Sequence, residues 1–487
     1  MVNTSLTGGV FVDHHVPQAQ QYKVLFSKDG NACSCYLMWT DIKENHNKFY
    51  VAQALQNSSG SYHLWTRYGR VGLDGVGTCE GFLSEGVAIS AYEKKYREKT
   101  GKGYTEVKMA LGNPKANHID VKLEEKKNVG AGKADDKLPK SKLDESQQAL
   151  ISFIFDLQLI EQSVVQVGYD AKRLPLGQLD KETVLEGYKY LREIEKVLNG
   201  KAKGDLADLS SLFYTYIPHN FSMKHMSNFT IKNLDMVKQK LDLIQNLIDI
   251  KIAHKIIKQG RKAKGPKVNP LDEKYAQLNC QLTTLKSTQD EFKMIETYLN
   301  HTKEHNKVKI LDIFKVDRPE EAKKYNPKKL GNKMLLWHGS RFSNFGGILS
   351  QGLRIAPPEA PKTGYLYGKG IYFADMAGKS APYTCHHLSG GVGLFLLCEV
   401  ALGKMRELHG TDADADDNLP KTCQSTRGIG TKYPDPKESR VIDKDVTVPL
   451  GKSIENDDPM AYRGHNEFIV YNVEQVKMRY LVKVKFN

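Results

Sequence analysis

Three polar residues stand out because each is embedded in an apolar or glycine-rich run. His338 ends Leu335-Leu-Trp-His-Gly-Ser340, Tyr372 lies inside Gly368-Lys-Gly-Ile-Tyr-Phe-Ala-Asp375, and Glu467 opens Asn466-Glu-Phe-Ile-Val-Tyr471. A carboxylate at the edge of an apolar strand is costly unless it is paired or functional. A single histidine at a strand end is more often structural, but a second polar cluster follows it. Asp375 leads into a segment carrying Lys379, Ser380 and Tyr383. Ser380 and Tyr383 are three residues apart, so on a helix they share a face and offer a hydroxyl and a flat ring to one ligand. Nowhere else in the chain are polar and aromatic groups set so densely beside Gly and Pro, so residues 333–383 read as a binding pocket. Spacing alone does not bring Glu467 to His338.

Elements of two kinds must carry these groups. Met334-Leu-Leu-Trp337 and Phe468-Ile-Val-Tyr471 read as buried strands, and the alternating Val476–Phe486 reads as a strand with one buried face. Ahead of them the chain divides. From about Tyr22 to Val107, short alternating runs separated by polar turns predict strands, followed by one helix over 86–99 with Ile89, Tyr92 and Tyr96 at helical spacing. Residues 113–143 are polar and charged without apolar periodicity and read as a flexible linker. Apolar residues three or four apart at Val184, Tyr188, Leu191, Ile194 and Leu198, and again from Leu234 to Ile252, predict a helical bundle. A basic connector, Lys258–Lys267, reads as a solvated hinge.

The chain has 487 residues, enough for roughly three domains, and 40% of them are hydrophobic. No apolar run is long enough to cross a bilayer, and the N-terminus lacks the basic-then-apolar pattern of a secretory signal. The formal charge of +14 suits a polyanionic partner. Seven scattered cysteines include no Cys-x-x-Cys pair, which argues against a zinc finger and a disulfide framework. In Trp65-Thr-Arg-Tyr-Gly-Arg-Val-Gly72, alternating aromatic and Arg residues either stack on nucleotides and hold phosphates or form a hairpin with a packed aromatic face.

These motifs resemble one family, the DNA-dependent poly(ADP-ribose) polymerases. Asn47-Lys-Phe-Tyr50 with Arg67-Tyr-Gly-Arg-Val-Gly72 resembles the domain named for its Trp-Gly-Arg motif, with Tyr68 replacing the Trp. Arg173–Leu179 and Phe213–Phe221 resemble the family's helical regulatory domain, and about 269–486 resembles its ADP-ribosyltransferase domain. The resemblance implies a multidomain α+β chain. A DNA-binding sheet with a helix (1–112) and the linker (113–143) precede an α-helical regulatory bundle (144–265). A mixed α+β catalytic domain with two packed antiparallel sheets (266–487) follows.

It also implies roles. NAD is consumed as a substrate, no metal takes part, and nicotinamide leaves an oxocarbenium-like ribose. His338, Tyr372 and Glu467 fall on the family's catalytic triad, with Glu467 steadying the cation and activating the incoming hydroxyl. Gly339 and Ser380 would hold the nicotinamide amide between Tyr372 and Tyr383, His338 a ribose hydroxyl, and Ser340 and Arg354 the adenosine and phosphates. Lys379 and Leu366 would lie on the acceptor side, where many polymerising members have Met for Leu366. Arg67, Tyr68 and Arg70 would meet DNA. The implied partners are DNA strand breaks and acceptor proteins including the chain itself, with Glu124, Glu125 and Ser141 as accessible acceptor candidates, and the implied setting is the nucleus and the DNA damage response. No apolar Leu-Trp ending follows the last strand, so an accessory factor stays open as a partner. Mono-ADP-ribosylation and a DNA-end scaffold with weak catalysis are the alternatives. A dehydrogenase is excluded, since Gly390-Gly-Val-Gly393 neither follows a strand nor opens a helix.

Overall fold

The computed structural model describes residues 10–107, 139–160, 181–221, 224–260, 268–325, 327, 330–461 and 463–487, with side chains 254, 257–260 and 463 left aside. The motif at 173–179, most of the linker and of the basic connector, and Glu124 and Glu125 lie outside them. The chain forms two compact units, one comprising 1–135, 164–247 and 359–361, the other 136–163, 248–358 and 362–487. Among the described residues no helix is long and apolar enough to cross a membrane.

In the first unit, an antiparallel sheet is centred on the long strand His46–Asn57, flanked by Ser34–Asp41 and Tyr62–Arg70. The helix Glu85–Thr100 starts at Ser84, whose side chain accepts from the Val87 amide. Ile89, Tyr92 and Tyr96, the residues at helical spacing, pack on Leu25, Cys35, Leu37, Tyr50 and Ala54 of the sheet. The helices Lys181–Leu198 and Leu206–Tyr216 belong to the same unit, as does the start of the helix Leu234–Gly260. Among the described residues, several contacts join the sheet region to the helical segments here. Ser211 Oγ accepts from the Ile42 amide at 2.9 Å, Asn47 Nδ2 donates to the His219 carbonyl at 2.9 Å, and Asn45 Oδ1 accepts from the Met226 amide at 3.1 Å.

Arg67 differs from the expectation of a phosphate-facing guanidinium. It is 7% exposed, and its Nε donates to Asp13 Oδ2 at 2.7 Å while Nη1 donates to the Asp74 carbonyl at 2.6 Å. Asp13 also accepts from Trp65 Nε1 at 3.1 Å. Burial works to raise the Asp13 pKa, but hydrogen bonds from His15, Arg67 and Trp65 with the Arg67 charge overcome it and hold the carboxyl below its usual range. A cation desolvated against one carboxylate has no face left for DNA. Tyr68, by contrast, is 53% exposed and stacks on Tyr50.

The second unit holds two principal sheets. The larger runs, in spatial order, through Arg440–Ile442, Val446–Val448, Lys333–Ser340, Val392–Ala401, Val476–Phe486, Val308–Asp317 and Gln281–Thr284. The smaller runs through Ile371–Phe373, Glu467–Val470, Ser425–Gly428 and Met405–Leu408. Each contains one parallel pair, Val446–Val448 with Lys333–Ser340 and Met405–Leu408 with Ser425–Gly428, so the expected antiparallel sheets are mixed at these strands. A three-stranded sheet, Ser453–Glu455, Gly430–Pro434 and Arg463–His465, lies apart from both. Trp337 is wholly buried among Tyr298, Phe395 and Ala377. Its backbone exchanges both hydrogen bonds with Ala374, at 2.8 and 2.9 Å, and so stitches the larger sheet to the strand that carries Tyr372.

Replacing Asp13 with Ala leaves the buried Arg67 uncompensated, and breaking such a pair costs about 3–5 kcal/mol. Urea unfolding of the first unit's sheet, followed by Trp fluorescence, should shift to a correspondingly lower midpoint.

Candidate active site

The strand Lys333–Ser340 delivers His338, Gly339 and Ser340 in succession, paired with Leu396, Phe395 and Leu394 of the neighbouring strand. His338 Nδ1 lies 2.9 Å from the Tyr372 carbonyl, which can only accept, so Nδ1 carries the proton and Nε2 is left as the acceptor. Burial lowers the His338 pKa against the pull of that carbonyl, favouring the neutral ring. The Tyr372 hydroxyl donates to the Gly368 carbonyl at 2.7 Å and accepts from the Tyr367 amide at 2.9 Å. Its polar end is committed to the backbone, so its ring is what remains for a ligand.

Gly339 is required sterically: a Cβ there would come within 2.1 Å of the Ser380 carbonyl and 3.4 Å of Tyr383 Cβ. This close approach joins the three residues into one cradle, with Ser380 buried and the Tyr383 ring 55% exposed. The expected single helix face over Ser380 and Tyr383 is instead a four-residue α-turn, Ala377–Ser380, running into a 3-10 turn, Ala381–Thr384. Pro382 in that second turn lacks the amide hydrogen an α-helix would use.

The same turn reaches Glu467. Lys379 Nζ donates to Glu467 Oε1 at 2.8 Å, and Glu467 is 4% exposed. The strand Glu467–Val470 pairs antiparallel with Ile371–Phe373, so His338, Tyr372 and Glu467 occupy three consecutively connected strands. Asn466 secures the carboxylate's strand, donating from Nδ2 to Asp375 Oδ2 at 2.8 Å and accepting the Gly430 amide on Oδ1 at 2.9 Å. Sequence reading placed Asp375 only as the lead into a helix and passed over Asn466, though both sit inside the quoted motifs. On the far side of Gly378, Glu304 Oε2 lies 2.7 Å from where a Cβ would be and 2.8 Å from His465 Nε2. No motif announced that pair.

Ser340 and Arg354 are the residues expected on the adenosine side. Ser340 Oγ accepts from Asn344 Nδ2 at 3.1 Å. Arg354 is held in an ion pair by the buried Asp249 of the helix Leu234–Gly260. Arg341 Nη1 is buried without a partner among the described residues, a donor beside Ser340 that sequence reading did not single out. Leu366 is half-buried, and its carbonyl accepts from the Asp412 amide at 3.0 Å. Ser141, expected to be accessible, is half-buried and donates to Asp272 Oδ1 at 2.5 Å.

Burial raises the Asp375 pKa from 3.8 to about 7, against the Asn466 bond and the Arg427 charge. The folded chain therefore binds this proton more tightly than the unfolded one. The associated stability is complete below the unfolded pKa and is lost as pH rises towards about 7. Between pH 5 and 7 the wild type should lose roughly 2 kcal/mol more than Asp375→Asn, at about 1.4 kcal/mol per unit. Urea midpoints at the two pH values measure the difference; parallel slopes would remove Asp375 from the account.

Residues 33–110 match the model of the WGR domain, 141–275 that of the poly(ADP-ribose) polymerase regulatory domain, and 289–486 that of the poly(ADP-ribose) polymerase catalytic domain. The chain is 39% identical to poly [ADP-ribose] polymerase 2 of Arabidopsis thaliana, over 99% of its own length and 77% of that protein's. It is 38% identical to poly [ADP-ribose] polymerase 2-A of Oryza sativa subsp. japonica, over 100% and 76%, and 39% identical to poly [ADP-ribose] polymerase 1 of Gallus gallus, over 95% and 46%. With three consecutive domains matched and its strands carrying His338, Tyr372 and Glu467 joined side by side, the chain belongs to the poly(ADP-ribose) polymerase family and is an ADP-ribosyltransferase.

Proposed function

We propose that this chain is a nuclear enzyme that consumes NAD, releases nicotinamide and transfers ADP-ribose to proteins, itself included, when it binds DNA strand breaks. The observation that carries the reading is the Lys379–Glu467 pair at 2.8 Å, because it ties a buried carboxylate to the residue that precedes Ser380 of the Ser380–Gly339 cradle. With nicotinamide in that cradle, between Tyr372 and Tyr383, the glycosidic bond points to Glu467. Nicotinamide leaves with the bonding electron pair and the ribose carbon becomes cationic. Glu467 stabilises that charge in a dry site, where a fixed carboxylate acts most strongly. It then takes the proton of the acceptor hydroxyl as the new carbon–oxygen bond forms. His338, neutral with Nε2 free to accept, binds a ribose hydroxyl of the adenosine half, and Ser340 and Arg354 take the adenosine and phosphates.

The Asp249–Arg354 pair supports a restraint on this step. While Asp249 holds the guanidinium, Arg354 is not available to a phosphate, so movement of the helix Leu234–Gly260 would license binding. In the first unit, Tyr68 supplies an exposed ring and Arg70 a guanidinium that donates to the Asn45 carbonyl at 3.1 Å. Asn45 also accepts the Met226 amide of the helical region, so a phosphate drawing on Arg70 would disturb a contact with the regulatory helices. Arg67, committed to Asp13 and the Asp74 carbonyl, is left out of that surface.

The test uses the full chain and NAD labelled in its adenine half. Labelled protein should appear with broken DNA and fall about 10²-fold in Glu467→Gln, the scale for loss of one transition-state electrostatic group. Unlabelled protein with and without DNA ends would refute the reading. Asp249→Ala should raise DNA-independent labelling several-fold. Tyr68→Ala with Arg70→Ala should weaken DNA binding, and the wild-type affinity should fall steeply between 50 and 200 mM salt, on the order of tenfold per two phosphates neutralised.

A further inference from the structure

Lys362 and the acidic run Asp412-Ala-Asp-Ala-Asp-Asp417 belong to none of the roles above. Lys362 Nζ donates to Asp414 Oδ1 at 2.8 Å, Asp416 Oδ1 at 3.1 Å and Asp417 Oδ2 at 2.6 Å. Burial opposes the ammonium's charge, and the three carboxylates outweigh it and raise its pKa. The acidic run then continues onto the segment after Lys362. The Asp412 amide donates to the Leu366 carbonyl at 3.0 Å, and Asp412 is itself held by Arg406 Nη1 at 2.9 Å. Asp416 closes over Gly368, whose φ of +73° and a would-be Cβ only 2.3 Å from Asp416 Oδ1 admit no other residue. Ala415 is wholly buried against Tyr367 and Ile469, with Leu366, Tyr372 and Tyr471 around them.

This segment is what positions Tyr372. The Gly368 carbonyl and the Tyr367 amide are the two partners of its hydroxyl, and Tyr365 lies beside its ring, with centroids 6.1 Å apart. Tyr471, one residue beyond the Glu467 strand, donates to the Tyr367 carbonyl at 2.8 Å. A shift of residues 362–368 therefore moves a ring of the nicotinamide seat directly.

We propose that Lys362 is a positioning residue for NAD binding: its three-carboxylate clasp fixes residues 362–368 on the acidic loop and so sets the Tyr372 ring against which nicotinamide stacks. Removing the ammonium leaves Asp414, Asp416 and Asp417 facing one another. Asp416, 18% exposed, is the one that cannot simply turn to solvent, and it is the one seated on Gly368. Like-charge repulsion is then relieved by parting the loop from the segment. The consequence is a loss of substrate affinity with little loss of turnover, because Glu467 and Lys379 are held independently through Asn466 and the 377–380 turn.

This inference rests on the NAD-consuming reading and is tested on the full chain with saturating DNA ends. KM and kcat for NAD are measured for wild type, Lys362→Met, Lys362→Arg, and Asp414→Asn combined with Asp417→Asn. The expected result is a five- to tenfold rise in KM for Lys362→Met with kcat within about twofold, recovery in Lys362→Arg, and a two- to threefold rise in the double Asp variant. A structural defect alone would lower kcat through the active fraction and leave KM unchanged. A natively melting Lys362→Met with wild-type KM overturns the inference. Should Lys362→Met not fold, the double Asp variant decides, and an unchanged KM there overturns it equally. An inactive wild type refutes the transferase reading instead, so the two failures are distinguishable.

Discussion

The site depends on one backbone exchange, the reciprocal hydrogen bonds between Trp337 and Ala374. Each sheet is internally paired, and this bridge ties the edge strand of the smaller one to an interior strand of the larger. It anchors on a Trp that is wholly buried, so the bridge cannot slide without opening the core. Everything the chemistry needs is set out from it. His338 is the next residue on one side, Tyr372 lies two residues back on the other, and the strand of Glu467 pairs with that of Tyr372. The turn 377–380 follows at once, carrying Lys379 to Glu467 and Ser380 to Gly339.

Charge placement follows the same logic. The chain is strongly basic overall, yet several ionisable groups around the site are matched locally: Lys379 with Glu467, Arg354 with Asp249, Lys362 with three aspartates. A pair around the pocket holds its partner's geometry, and a pair that can be broken becomes a point of control. Under the proposed restraint Asp249–Arg354 has that second character, because its acid comes from a helix within the regulatory-domain match. Lys379–Glu467 has the first, since the turn carrying Lys379 and the strand carrying Glu467 are each tied by further bonds.

Much of this was legible in the sequence because the triad sits in contiguous motifs, and because strand alternation and helical spacing report burial directly. Ile89, Tyr92 and Tyr96 needed only a period of three or four to be assigned to the sheet-facing side of their helix. What escaped was long-range pairing. Nothing local in Arg67 distinguishes a DNA-facing arginine from one neutralised by Asp13, 54 residues earlier. The Lys362 clasp likewise joins residues 52 to 55 apart, and its acidic half reads as an ordinary solvated loop until the fold brings it to Gly368. The family model for the first domain begins at residue 33, yet Asp13 is inside that domain's core. Ser380 and Tyr383 came together through a broken turn where a helix was expected, because Pro382 ends the α pattern.

The most direct measurement asks whether the junction of these strands seats nicotinamide. The full chain is melted with increasing nicotinamide, alongside Ser380→Ala, which removes the Ser380 hydroxyl and leaves the backbone approach of residue 380 to Gly339 in place. The account predicts that nicotinamide raises the wild-type Tm in a saturable way, while Ser380→Ala melts at the wild-type temperature without ligand and gains little or nothing with it. Equal stabilisation of both proteins, or none in the wild type, would contradict it.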